Sequence, residues 1–515
     1  MAAGAGPPAT ASVAPGDSGT PKEGGWPILA LLMLFGFLGA LDQNVIVTAL
    51  QRMLGDAHVP IVLLDFSGGS GIQFDRAGWL ITGYLLGYVA VLPLMGAVSD
   101  VYGRRWTMVG ALLIFALGSV LTARADTLPH LVLARMAQAL GAGALLPVAL
   151  AAASDMVGPR RQGLVLGLIV AAAELGGVCG PLYGALITQA SGEGWRLIFW
   201  LNVPIAALLI PAALRLPSAG AARPVDYRGG VTLGLALAAL VAGTSSSGIL
   251  GSTFGGGNAN RWLLLAGAAL LAGFWVVERR APSALLPASI ARNRRFAAAC
   301  AVNGLIGVAL GVAIVVIPIY ATTVQNVSPV QGGLLLLRYL AMLALGAAAG
   351  GWLRDRAGSR LVAVAGLALA ALGYWLLRDW LVSPPASPSW PAPLLAGFGV
   401  GMVASPVTGA ALEAAGADRG GVLASLVTAA RAIGTMIGLS SLTSYGSWRF
   451  HIVGAAVRMR PINPLEGLAG VQRATAAFSL ALQAKELLVL REIFAGSALC
   501  CALAILPALL FARER

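Results

Sequence analysis

A chain of 515 residues that is 58% hydrophobic and only 11% charged, with mean hydropathy +0.83, cannot coat a water-soluble surface, which takes roughly 25% charged residues. The solvent it fits is a bilayer, and at about 20 residues per crossing its length accommodates about twelve to fourteen helical spans. The net charge of +13 would suggest nucleic acid on a soluble protein, but the arginines below are placed as topological signals, so no nucleic-acid partner is expected.

In chain order, residues 1–25 are rich in Ala, Gly, Pro, Ser and Thr with no apolar run, and read as a disordered cytoplasmic tail rather than a signal peptide or a domain. Residues 26–216 hold six apolar runs, at 27–50, 77–98, 106–124, 128–153, 163–188 and 196–216, which predict an N-terminal six-helix half. A polar linker, 217–229, leads into two further spans within 230–280, split by the Gly/Ser/Asn stretch 251–260. The second half begins at 281, with spans predicted at 296–321, 331–352, 361–380, 392–413 and 421–445. Residues 446–487 interrupt it with Arg449, Arg458, Arg460, Arg473, Lys485, Pro461 and Pro464. The second part of that stretch reads either as an amphipathic helix, lying on the outer leaflet or extending the last span, or as a mere connector. The last span, about 488–511, and a short tail complete residues 488–515 and bring the count to fourteen.

Lys22, Arg104, Arg105, Arg160, Arg161, Arg279, Arg280, Arg292, Arg294, Arg295, Arg354, Arg356 and Arg360 fall on one side of these spans, against Arg52, Arg76, Arg124, Arg196, Arg261 and Arg378 on the other. That bias sets the topology, with both termini cytoplasmic, and the chain is expected in the inner (plasma) membrane. Four cysteines in apolar runs and three scattered histidines offer no disulfide framework or metal spacing, so neither metal nor cofactor is expected. His-Glu-x-x-His, Gly-x-Ser-x-Gly and paired intramembrane His or Asp are all missing from the sequence, which argues against a membrane-embedded enzyme. An ion channel is the remaining alternative, and the repeat described next argues for a rocking carrier instead.

Gly96, Asp100 and Gly103, with Arg104 and Arg105 following, recur as Gly351, Asp355 and Gly358 at one constant offset, each time after the second span of a half. Gly96 permits close helix contact, Asp100 can cap a neighbouring helix N-terminus, and Arg104 can pair with it. Arg135 and Gln138 share a face of the fourth span. In the fifth span Gly176, Gly180 and Gly184 form a smooth stripe beside Pro181, which removes a backbone donor. These segments, with Trp195–Pro204, resemble the fourteen-span drug:proton antiporter branch of the major facilitator superfamily. Further similarity, in Leu38–Asp42, Tyr84–Tyr88, Gly143–Pro147, Glu174–Gly184, Ala430-Arg431 and Glu492–Phe494, is to mycobacterial triacylglycerol and drug exporters. The resemblance implies an all-α polytopic fold of two six-helix bundles plus an inserted pair of linker helices. It also implies alternating access, with Gly96, Asp100, Gly103, Arg104, Asp355 and Gly358 as a cytoplasmic latch favouring the outward-facing state. A monomer handling a lipid or hydrophobic small molecule is expected, in contact with membrane lipids and with a possible outer lipoprotein partner. The outer segment at 381–393 is shorter than the insertion those exporters carry there.

Asp42, Glu174 and Arg431 lie within predicted spans, where each buried ion costs a few kcal/mol. The carboxylates could exchange an ion pair with Arg431 for a proton, which the resemblance implies as the route of proton coupling; the alternative is a static pair that fixes packing. Sodium in place of the proton stays open. Arg338 lies within snorkelling reach of the interface. Asp155 and Glu413, at span ends, are expected to be solvated, and Trp79, Tyr84, Tyr88, Trp375 and Trp380 to form an interfacial belt. The inserted pair is expected to hold the halves apart and leave a lateral opening.

Overall fold

A computed structural model describes residues 25–56, 71–190, 194–216, 218, 224–244, 259–281, 283–323, 329–380, 391–414, 419–454 and 467–512. The expected tail, most of the 381–393 segment and both Pro461 and Pro464 lie outside them. All regular structure among the described residues is helical, as a bilayer demands of segments that must satisfy their own backbone hydrogen bonds. The first half comprises α1 (Gly25–Asp56), α2 (Gly71–Tyr102), α3 (Arg104–Ala123), α4 (Leu128–Met156), α5 (Pro159–Ala190) and α6 (Arg196–Ala213). The linker pair is α7 (Tyr227–Thr244) and α8 (Ala259–Arg280). The second half comprises α9 (Arg294–Thr323), α10 (Pro329–Ala357), α11 (Ser359–Trp380), α12 (Pro391–Glu413), α13 (Gly420–Gly454) and α14 (Gly467–Ala508). Among the described residues 13 helices are long and apolar enough to cross a membrane. The exception to the predicted fourteen is α7, whose apolar part, Tyr227–Gly243, is shorter.

Glycine contacts reveal how far the internal repeat extends. A Cβ added at Gly118 would lie 2.3 Å from Gln138, and one at Gly373 2.3 Å from Ala396; Gly141 meets Phe115 as Gly399 meets Ala370. On the other face of each half, Gly176 and Gly180 of α5 rest on the carbonyls of Phe37 and Leu41, while Gly434 and Gly438 of α13 rest on those of Gly304 and Val308. Two helices can approach this closely only where side chains are missing. The matching contacts make α1–α6 and α9–α14 structural repeats, and they align Gln138 with Ala396 and Asp42 with Ala309.

The second half has its own apolar core, from Ile290 to Phe511. The first half's core runs on across the interface to Ala344, Ala347, Leu412, Ala424, Ala429 and Met436. The linker pair sits on the seam between the halves. Gly230 and Gly234 of α7 rest against Leu94 and Ala90 of α2, while Ala97, Leu233, Phe274, Leu285 and Val422 form one small cluster drawn from α2, α7, α8, the following loop and α13. The pair thus packs on both halves. α13 and α14, at 35 and 42 residues, exceed the roughly 20 a crossing needs. From Gly467 onward α14 is unbroken, so of the three arrangements open for that stretch it is a helix that extends the last span. Glu492 ties the two long helices together, taking both Nε and Nη2 of Arg449 (2.9 and 2.8 Å) and the Tyr445 hydroxyl at 2.7 Å.

Candidate functional site: two latches and two ion pairs

The α2–α3 and α10–α11 junctions, which carry the repeated motif, bind reciprocally across the interface. Asp100, at the end of α2, accepts the backbone N–H groups of Gly421 and Val422 at 2.8 and 3.0 Å, in the first turn of α13. Asp355, near the end of α10, accepts those of Gly163 and Leu164 at 2.7 and 2.8 Å near the start of α5. Each half therefore supplies a carboxylate to a helix start in the other, where the macrodipole favours an anion. The glycines make the approach possible. A Cβ at Gly96 would stand 2.6 Å from the Gly421 carbonyl, and one at Gly351 2.4 Å from that of Gly163. Gly103 and Gly358, with φ of 86° and 81°, turn the chain sharply between helices.

Arg104 bonds Asp100 at 2.7 Å and Asp155 at 2.9 Å. The second latch has Ser359 at the position matching Arg104, and Arg354 fills the role from another place in the chain. Arg354 donates to Ser359 Oγ at 2.9 Å and pairs with Glu413 at 2.7 Å. Asp155 and Glu413, expected to be merely solvated, are thus the outer anchors of the two latches. Their neighbouring arginines are buried, and an unpaired buried charge is costly.

Asp42, on α1, lies fully buried among α3, α4 and α6. Its carboxylate receives Arg135 Nη1 at 3.0 Å, Gln138 Nε2 at 2.8 Å and Asn202 Nδ2 at 2.8 Å. Gln138 also donates to Ser119 Oγ at 2.8 Å and accepts from Arg135 at 2.8 Å. The guanidinium lies 4.1 Å from the centre of the Tyr84 ring, with Phe199 at 5.5 Å. Tyr84 and Tyr88 are consequently buried and do not belong to an interfacial belt, whereas Trp375 is exposed. The described side chains do not extend to Trp79 or Trp380. Asp42 does not pair with Arg431 as one reading of the sequence had it, because Arg135, three residues from Gln138 on the same helix face, already holds it. Ser119 and Asn202 were not singled out from the sequence; the only signal for Asn202 was its place in the Trp195–Pro204 segment. At the corresponding place in the second half the charges are replaced by a tyrosine pair. Tyr339 and Tyr374 hydroxyls lie 2.8 Å apart, and Tyr374 donates to the Ala309 carbonyl at 2.9 Å.

Glu174 and Arg431 form an ion pair between α5 and α13, joining the two halves directly. Their side chains are 14% and 23% exposed, against 0% for both Asp42 and Arg135. One ion pair is sealed within a half; the other spans the interface and opens to its surroundings. Gly176 and Gly180 hold α5 on α1 beside it, and Pro181 lies within α5. Gly184 is buried and its carbonyl accepts the Thr188 hydroxyl. Arg338 has an exposed side chain.

A sequence profile of the Major Facilitator Superfamily matches residues 32–439. The triacylglyceride transporter of Mycolicibacterium smegmatis is 34% identical over 490 residues, covering 92% of this chain and 85% of its own length. The Mycobacterium tuberculosis triacylglyceride transporter is 35% identical and covers 90% of each chain. Among solved structures, a proton:xylose symporter superposes with a TM-score of 0.59 at 15% identity, over 93% of this chain and 94% of that one. The human organic anion transporter gives 0.58 at 15% identity, over 92% and 100%. The family profile and these relatives make the protein a membrane transporter, and this chain belongs to the major facilitator superfamily. It is a multi-pass membrane protein and a transporter rather than an enzyme.

Proposed function

We propose that the protein is a proton-coupled exporter that moves triacylglycerol-like lipids or related amphiphiles outward by alternating access. The observation that carries this reading is the contrast between the two ion pairs. The Glu174–Arg431 pair bridges halves that must separate, and the Asp42–Arg135 pair is sealed where only a conformational change admits a proton. Asp42 has three N–H donors as an anion; protonation removes its charge and leaves Arg135 without a counter-ion, which favours rearrangement of α4 against α1. The latches are closed, and with the arginine-rich side taken as cytoplasmic this arrangement corresponds to the outward-facing state of the proposed cycle. Similarity to the mycobacterial triacylglyceride transporters across most of both chains supports the lipid cargo. The long α13 and α14 would carry the chain beyond the bilayer on the outer side, where an acceptor lipoprotein could dock. The second reading is efflux of hydrophobic or cationic drugs by the same machinery.

The test is transfer by purified protein in proteoliposomes, with and without an imposed pH gradient, using labelled triacylglycerol and a cationic dye in parallel. The expected result is gradient-dependent lipid movement that is lost in Asp42→Asn. Dye movement without lipid movement would establish the drug reading, and full gradient-driven transport by the variant would sink the role of Asp42.

A further inference from the structure

The linker pair carries two acidic side chains that the transport cycle above does not use. Asp226 is the N-cap of α7: its Oδ1 accepts the Gly229 N–H at 2.8 Å, the usual use of an aspartate at a helix start. Glu278, near the end of α8, is 4% exposed, and its Oε1 accepts the backbone N–H of Leu286. One oxygen of each carboxylate is therefore occupied by a backbone donor. The other two, Asp226 Oδ2 and Glu278 Oε2, are buried and have no N–H or hydroxyl donor. Both lie beside Gly229, where a Cβ would stand 2.3 Å from the first and 3.0 Å from the second. Two neighbouring carboxylate oxygens, both buried and neither with a donor, repel each other as anions and are relieved when one proton is bound between the two groups.

We propose that Asp226 and Glu278 form a second proton-binding site, remote from Asp42, that clasps the linker pair to the first turn of α13. The connection is short. The loop that Glu278 holds through Leu286 also presents the carbonyls of Ala284 and Leu285 to the Arg419 guanidinium. Arg419 immediately precedes α13, its carbonyl accepts the Leu423 N–H, and the next residues are those that Asp100 latches. Arg419 brings a positive charge to this loop from the α13 side; Tyr227 adjoins Asp226 and touches Tyr102 of α2 at 3.1 Å. With one shared proton, two carboxyl groups and one guanidinium are together neutral. Loss of the proton leaves two anions in contact, which drives α7 and α8 apart and loosens the loop that Arg419 grips. The latch then responds to proton activity at its own end of the molecule, independently of the central cluster.

The experiment is thermal unfolding of the full-length purified protein across a pH series, comparing wild type with Glu278→Gln and with Asp226→Asn. Each amide mimics the protonated member and retains the oxygen its backbone donor needs. A proton held by the native state and released on unfolding makes stability fall as pH rises. As pH rises from about 5, just above the ordinary carboxylate range, the wild-type midpoint is therefore expected to drop by roughly 2–4 °C more than that of either variant. Identical pH profiles in wild type and both variants would overturn the proposal. Sodium chloride against choline chloride at fixed pH separates the other cation: stabilisation specific to sodium and lost in Glu278→Gln would mean a metal-ion site, and would equally overturn it. Misfolding of one variant leaves the other to decide. Lipid transport is not read, so the outcome stands apart from that of the proteoliposome test.

Discussion

At the scale of single residues, the sealed pair determines what a substitution measures. Asp42 and Arg135 are both fully buried, and removing one partner of such a pair leaves an uncompensated charge, at a cost of about 3 kcal/mol. Asp42→Asn is therefore expected to lower thermal stability as well as transport. Adding Arg135→Met removes the stranded charge and is expected to recover most of the stability while leaving uphill transport absent. A double variant as unstable as the single one would show that the guanidinium is not the source of the penalty. The role of Arg135 was readable from its spacing to Gln138. Its partner was not, because Asp42, Ser119 and Asn202 reach the cluster from three other helices, and no local pattern records such a convergence. Arg354 was missed for a related reason: the second latch keeps the aspartate and glycines in register but draws its arginine from a shifted position.

At the scale of helices, glycine sets the distances. The reciprocal approach of Gly351 to Gly163, with backbone oxygen atoms 2.4 and 2.7 Å from the would-be Cβ positions, leaves no room for a side chain. Gly351→Val is expected to part α10 from α5 and so open the latch end. The check is labelling of a cysteine placed at Ser405, whose hydroxyl now donates to the Gly163 carbonyl at 2.7 Å: its rate should rise at least several-fold over the same cysteine in the wild-type background. An unchanged rate would show that the latch tolerates the wedge. Apolar periods and helix order were legible from hydropathy, since burial in lipid selects composition directly. The extra length of α13 and α14 was harder to see, because those extensions mix arginine and glutamate into apolar runs and satisfy them with each other, as Arg449 and Glu492 do.

At the scale of the whole molecule, the two halves share architecture and differ in chemistry. The same glycine-mediated crossings recur in both, yet Asp42 corresponds to Ala309 and Gln138 to Ala396, so the fully sealed Asp42–Arg135 pair has no counterpart in the second half. The second half contributes Arg431, which meets Glu174 of the first. A duplicated scaffold thus holds a sealed ion pair on one side and a tyrosine pair on the other, with one exposed ion pair joining them. The repeat was visible in six residues of sequence; its extent was not, because outside the latches it survives as contacts rather than as identities.

The seat of α7 on α2 also has a consequence for biogenesis. When α7 leaves the ribosome, the surface formed by Ala90 and Leu94 that receives Gly230 and Gly234 has already been synthesised, while α13 is still untranslated. The linker pair can therefore complete the first half during synthesis, with α8 covering the short α7. A chain ending just after Arg280 is accordingly expected to yield a membrane-inserted, protease-resistant fragment that includes α7 and α8; digestion back to α6 would show instead that the pair waits for α13.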